Sequence, residues 1–160
     1  MELTPEAVER EAEWVRNRGD AVVPLINDTR TRLGELFGTD VGEVTPAAYR
    51  EEVDAVFEDG EVAVNVAGFV RILRELDVEG DYPGFVVDEI LGRELAATVA
   101  GGHPLSLLAQ ATFHFADVRT HTEGRAGADD LDAALAAGFQ TRLPGWSWRD
   151  GDSPFAVRRD

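Results

Sequence analysis

The chain has 160 residues, enough for one domain that buries about 70% of the surface its unfolded form would expose. It contains no cysteine, which excludes a disulfide framework, a thiolate metal cluster and a cysteine nucleophile. Against 31 acids stand 15 bases, all of them arginine, for a net charge of −16; without a basic stripe, nucleic acid is excluded as a partner.

Thr4-Pro5-Glu6-Ala7 opens the first predicted helix, with Thr4 as N-cap, Pro5 at the first helical position and acids where the helix dipole favours them. Ala7, Val8, Glu11, Trp14 and Val15 form its inner edge, and Gly19 ends it. A second helix runs from Asp20 to Phe37, closed by Gly38, with Pro24 near its first turn. Thr45-Pro46 repeats the start signal for a third, whose Tyr49, Val53, Val56 and Phe57 recur at helical spacing until Asp59-Gly60. The fourth extends from Val62 to Leu76, with Val66, Phe69, Val70 and Leu73 on one side. Asp81-Tyr82-Pro83 opens a fifth, closed by Gly101-Gly102, and Pro104 starts the sixth.

From Leu95 to Ala116 the chain carries no Asp, Glu, Lys or Arg, so the core is expected here. The run is long enough to cross a membrane, but Gly101-Gly102-His103-Pro104 interrupts it and polar residues stripe its second half, which favours a buried hairpin. Beyond a loop at residues 122–127, Asp129 caps a seventh helix with Leu131, Ala134, Leu135 and Phe139 as its buried edge. Trp146, Trp148 and Phe155 then mark a tail expected to fold back on the body.

Helical units begin near residues 4, 45 and 82. A period of about 40 suits two-helix solenoid repeats, yet the units share only their start signal. The expected fold is therefore all-α: a compact bundle of six or seven helices, arranged as three helical hairpins plus a C-terminal helix and tail. Residues 1–145 form the single domain and residues 146–160 the tail.

The strongest candidate for chemistry lies on the sixth helix. Ser106, Gln110, His114, Asp117 and His121 are spaced by four, four, three and four, within roughly a quarter of the helical circumference. His114, Asp117 and His121 could meet one divalent zinc, iron or manganese ion if Asp88, Glu89, Glu94 or His103 supplied a fourth ligand. The competing reading pairs Asp117 with His121 near the helix C-terminus, where imidazolium is favoured. Asp129, Asp130 and Asp132 read as cap and dipole partners, and Gly101-Gly102 lacks the lysine of a phosphate loop. Ser106 would need a base; His103 is three residues back, on the far side of Pro104.

The absence of lysine together with the acid excess resembles cytoplasmic proteins of salt-in halophiles, whose surface repulsion is screened at molar salt. Met1 to Glu6 shows no basic region followed by an apolar run, so no secretion signal is expected. The functional expectation is an acidic cytoplasmic binding or interaction module without catalysis, contacting a protein partner or its own copy, and neither nucleic acid nor membrane. Its alternative is a metal-binding helical protein or metal-dependent enzyme using His114, Asp117 and His121.

Overall fold

A computed structural model of the chain describes residues 2–75, 87–118 and 128–145. Among these residues the protein is all-helical, with α1 Pro5–Asn17, α2 Gly19–Phe37, α3 Pro46–Glu58, α4 Gly60–Glu75, α5 Val87–Ala100, α6 Leu105–Asp117 and α7 Ala128–Arg142. The Asp81-Tyr82-Pro83 start of α5, the turn beyond α6 and the aromatic tail at residues 146–160 lie outside the described residues. None of the described helices is long and apolar enough to cross a membrane.

Local chemistry sets the helix ends. Thr4 Oγ1 accepts from the Ala7 N–H at 3.1 Å and Thr45 Oγ1 from the Ala48 N–H at 3.1 Å, each followed by a proline that has no N–H to satisfy. Gly38 closes α2 in the left-handed region, at φ 61°, where a Cβ would be strained. The chain then returns to the bundle because Asn27 holds Val44 from both sides: its amide donates to the Val44 carbonyl at 3.1 Å and its oxygen accepts from the Val44 N–H at 2.8 Å.

The helices gather around α7. Every residue from Leu131 to Thr141 is buried, because α5, α6 and α2 pack extensively against this helix and α3 and α4 touch it as well. The seventh helix therefore does not bury one edge, as its Leu131, Ala134, Leu135, Phe139 spacing predicts; it is enclosed on all sides. Its intervening Ala133, Ala136 and Ala137 allow this, since methyl side chains admit neighbours closely on every face. Asp129 likewise lies inside the first turn of α7, whose described start is Ala128.

Of the consecutive pairs, α6 with α7 and α5 with α6 pack most extensively, whereas α1 rests on α3 and α4 more than on α2. Glycines permit the closest crossings. A Cβ on Gly138 would stand 2.9 Å from the Ala96 carbonyl oxygen of α5, and one on Gly92 would stand 2.7 Å from the Phe113 ring of α6. Around these contacts Leu95, Val99, Phe113, Leu135 and Phe139 are fully buried, each contributing about 1.5–3 kcal/mol on transfer from water. Tyr49 meets Phe139 edge to face, with ring centroids 5.4 Å apart, and seats α3 on α7.

Two arginine contacts, one buried and one half-buried, complete the frame. The Arg30 guanidinium, 1% exposed, donates to four carbonyls: Gly42 at 2.9 Å, Pro144 at 2.7 Å, Gln140 at 2.8 Å and Leu143 at 2.7 Å. It thereby holds the C-terminal end of α7, where the carbonyls lack helical partners and the dipole favours a cation. Arg142 donates to Glu52 at 2.6 Å and to the Val99 carbonyl at 3.2 Å, tying α7 to α3 and α5.

Candidate functional site

The packing of α6 decides which of its residues are available. Leu108, Ala109, Thr112, Phe113 and Ala116 are buried on the inner face, toward α5 and α7. The stripe expected to act together is split by this arrangement: Ser106 is buried, Gln110 and Asp117 are half-buried, and His114 is exposed. An arc of about 80° straddles the boundary between the core side and the solvent side. His114 stands on the side away from the core, and His121 lies outside the described residues.

Among the described residues no group of three or more His, Asp or Glu side chains is placed to hold a metal ion. Glu89 accepts from Arg93 one turn along α5 at 2.6 Å, Glu94 is exposed, and the Asp88 side chain is outside the description. Asp132 is engaged elsewhere, taking Arg18 Nε and Nη2 on its two oxygens at 2.8 Å each.

One pair that the spacing discounted is brought together. His103 and Ser106 flank the start of α6, and Ser106 Oγ lies 2.9 Å from His103 Nδ1. The turn after Gly101, at φ 92°, folds the imidazole back over the first helical residues across Pro104. The contact is local, and it leaves Ser106 7% exposed, so its evident effect is to tie the entry of α6 to its first turn.

What α6 presents to solvent is an uncharged stripe. Leu107 is 56% exposed, Val118 is 58% exposed, and Ala111 and His114 between them are also exposed. These four positions fall within about 60° of arc. On α1 and α3 the outer faces are charged, with Glu6, Glu9 and Glu13 and then Glu51, Asp54 and Glu58 exposed, while single apolar side chains are also exposed at Leu36 on α2 and Ile90 on α5.

A second cluster surrounds Trp14. The Arg74 guanidinium lies 4.7 Å and that of Arg18 5.6 Å from the ring centroid, within cation–π range. Each cation is anchored by a buried acid, Arg74 by Glu11 at 2.6 Å and Arg18 by Asp132, and the hydrogen bonds that Arg18 donates to Asp132 push its pKa up. A cleft of about 660 Å³ opens beside this ladder between α1 and α4, lined by Arg10, Glu13, Trp14 and Asn17 with Arg71 and Arg74. Arg71 is itself held by Glu75 at 3.2 Å. Glu11, placed on the inner edge of α1 by spacing alone, thus owes its burial to Arg74.

The chain belongs to the family described as a domain of unknown function, DUF7984. The family model matches residues 1–159, so it embraces all the described helices and nearly all of the segment that follows α7. No curated protein and no solved structure matches the chain.

Proposed function

We propose that this protein is an interaction module of a salt-in halophile's cytoplasm, whose docking surface is the outer face of α6 and which performs no catalysis of its own. The observation that carries the reading is the uncharged stripe of Leu107, Ala111, His114 and Val118 on a chain of net charge −16. Leaving two large aliphatic side chains in water forgoes about 1–2 kcal/mol each, and burial against a partner helix recovers it. The seam has the spacing of helix-to-helix recognition, with anchors at i, i+4, i+7 and i+11. At molar salt the acidic body no longer repels a partner at range, while apolar contacts keep their strength.

The test is binding of a synthetic helical peptide with leucine and alanine at the matching positions, measured at about 1 M salt, where the screening length is about 3 Å. Wild-type protein should bind it. The double variant L107E/V118E should bind at least tenfold more weakly while melting at the same temperature. Equal binding by both proteins would remove α6 as the docking face.

A further inference from the structure

We propose that the cleft beside Trp14 binds a small zwitterion of the α-amino-acid class, its carboxylate received by Arg10 and Arg74 and its ammonium by Glu13. The cleft lies between α1 and α4, and no residue of α6 lines it, so the inference stands apart from the docking face. Its volume of about 660 Å³ falls within the range of small-molecule sites, about 300–1,000 Å³.

Charges in this cleft are left over once its own pairs are made. Arg74 donates from Nη1 to Glu11 at 2.6 Å, and Arg71 donates to Glu75 at 3.2 Å and to the Glu2 carbonyl at 3.4 Å. Arg10 and Glu13, both exposed on the α1 wall, make no side-chain hydrogen bond or ion pair among the described residues. They stand three apart, with the arginine N-terminal to the acid, the order that a helix surface favours less. Arg16 shows the contrast, reaching Glu9 behind it on the same helix at 3.2 Å and Asp54 on α3.

From the α4 wall, Arg74 keeps Nε and Nη2 without a partner among the described residues. The Trp14 ring, 4.7 Å from the guanidinium carbon, supports the plane of this group without consuming an N–H. Nε and Nη2 form the edge with which Arg18 already holds both oxygens of a carboxylate, that of Asp132, at 2.8 Å each. The corresponding edge of Arg74 is therefore suited to the carboxylate of a ligand.

Charge selects a zwitterion over a simple anion. Arg74 and Arg71 balance Glu11 and Glu75, which leaves one cation, Arg10, and one anion, Glu13. A carboxylate alone gains Arg10 but meets Glu13 and the field of a body of net charge −16; an amine alone leaves Arg10 and the Arg74 edge unused. A molecule with both charges on neighbouring atoms satisfies both sides and, being neutral, is not repelled at range. The half-buried Trp14 and the apolar stems of the arginines supply a wall for its side chain.

Calorimetric titration of the full chain at about 1 M salt tests the proposal, with L-leucine, 4-methylpentanoate, which lacks the amine, and 3-methylbutylamine, which lacks the carboxylate. Leucine should bind, and each analogue at least tenfold more weakly. R10Q should weaken leucine at least tenfold. E13Q should do the same and abolish the preference of leucine over 4-methylpentanoate, while E61Q, the same charge change at an exposed position of α4 outside the cleft, should leave leucine binding unaltered. Both cleft variants alter exposed, unpaired side chains and should melt at the wild-type temperature. Absence of binding by leucine up to about 10 mM overturns the proposal. Leucine binding that survives R10Q, or that falls equally in E13Q and E61Q, overturns it as well, the first by placing the ligand elsewhere and the second by showing that Glu13 acts through net charge alone.

Discussion

The carboxylate of Asp132 on α7 receives both forks of the Arg18 guanidinium from the α1–α2 junction, at 2.8 Å on each oxygen. The two partners differ in access to water: the Asp132 side chain is 3% exposed and that of Arg18 35% exposed. Removing the acid leaves a cation that reaches solvent, while removing the base leaves a charge that does not. Asp132→Asn should therefore cost about 1–2 kcal/mol and Arg18→Met more, about 2–4 kcal/mol. The exposed Arg16–Glu9 pair is the control, and Glu9→Gln should change stability by less than about 0.5 kcal/mol. Urea denaturation of the three variants measures the order; equal costs for D132N and R18M would show that burial of the acid does not matter.

Arg30 supplies a second stability prediction. Its four carbonyl acceptors come from the α2–α3 loop, the last turn of α7 and the turn beyond it, so one side chain joins segments distant in sequence. Arg30→Lys retains charge but replaces a planar fork by a point donor that cannot span them. R30K should cost about 1–3 kcal/mol, and R30M about 2–4 kcal/mol. If both variants unfold at the wild-type denaturant concentration, the guanidinium is not what holds the end of α7.

Tyr49 predicts a loss of stability in alkali. Its hydroxyl donates to the Val15 carbonyl at 2.7 Å, and burial, aided by the nearby Asp132 charge, pushes its pKa well above the usual phenol value of 10.0. Because the folded pKa is raised, the unfolded chain loses this proton first. The contribution of Tyr49 is then complete below pH about 10 and declines as pH rises further. Chemical denaturation across this range should show a decline in wild type that is smaller in Tyr49→Phe, a variant that gives up about 1 kcal/mol at neutral pH with the hydrogen bond. Identical alkaline slopes in the two proteins would assign the decline to other groups.

Salt acts on the whole surface. With a net charge of −16, lowering salt from about 1 M to 0.1 M restores repulsion over about 10 Å, and thermal stability should fall. A melting temperature independent of salt over that range would show that the acidic surface is no adaptation to brine.

Metal content separates the two functional expectations for α6. On the interaction reading His114 is one member of an exposed stripe, and His114→Ala should shift stability by less than about 0.5 kcal/mol with or without a chelator. On the metal reading, zinc, iron or manganese copurifies and is lost from H114A and H121A alike, since ligands of one site act as a unit. Elemental analysis of wild type and both variants decides: stoichiometric metal in wild type, absent from each variant, would overturn the interaction reading of this face.

The sequence by itself determined the helical content and the ends marked by Thr4, Thr45 and Gly38, although Gly19, expected to end α1, is the first residue of α2. Thr4, Thr45 and Gly38 act through bonds or backbone angles within one turn, and such local physics needs no neighbour to be legible. It also determined the charge and the uncharged run that becomes part of α5 and α6. Only the tertiary structure decided which helix stands at the centre. Apolar spacing marks the inner side of a helix packed on one face, but α7 is packed on every face, and its alanines carry no pattern that distinguishes the two cases. Gly138 reads in sequence as a helical weakness of about 1 kcal/mol; the approach of Ala96 across the α5–α7 crossing explains it, and nothing within α7 predicts that approach. The candidate surface divides the same way. Spacing placed Ser106, Gln110, His114 and Asp117 on one arc of α6, but the positions of α5 and α7 decided where the edge of the core cuts that arc, burying Ser106 and leaving His114 in the open beside Leu107 and Val118.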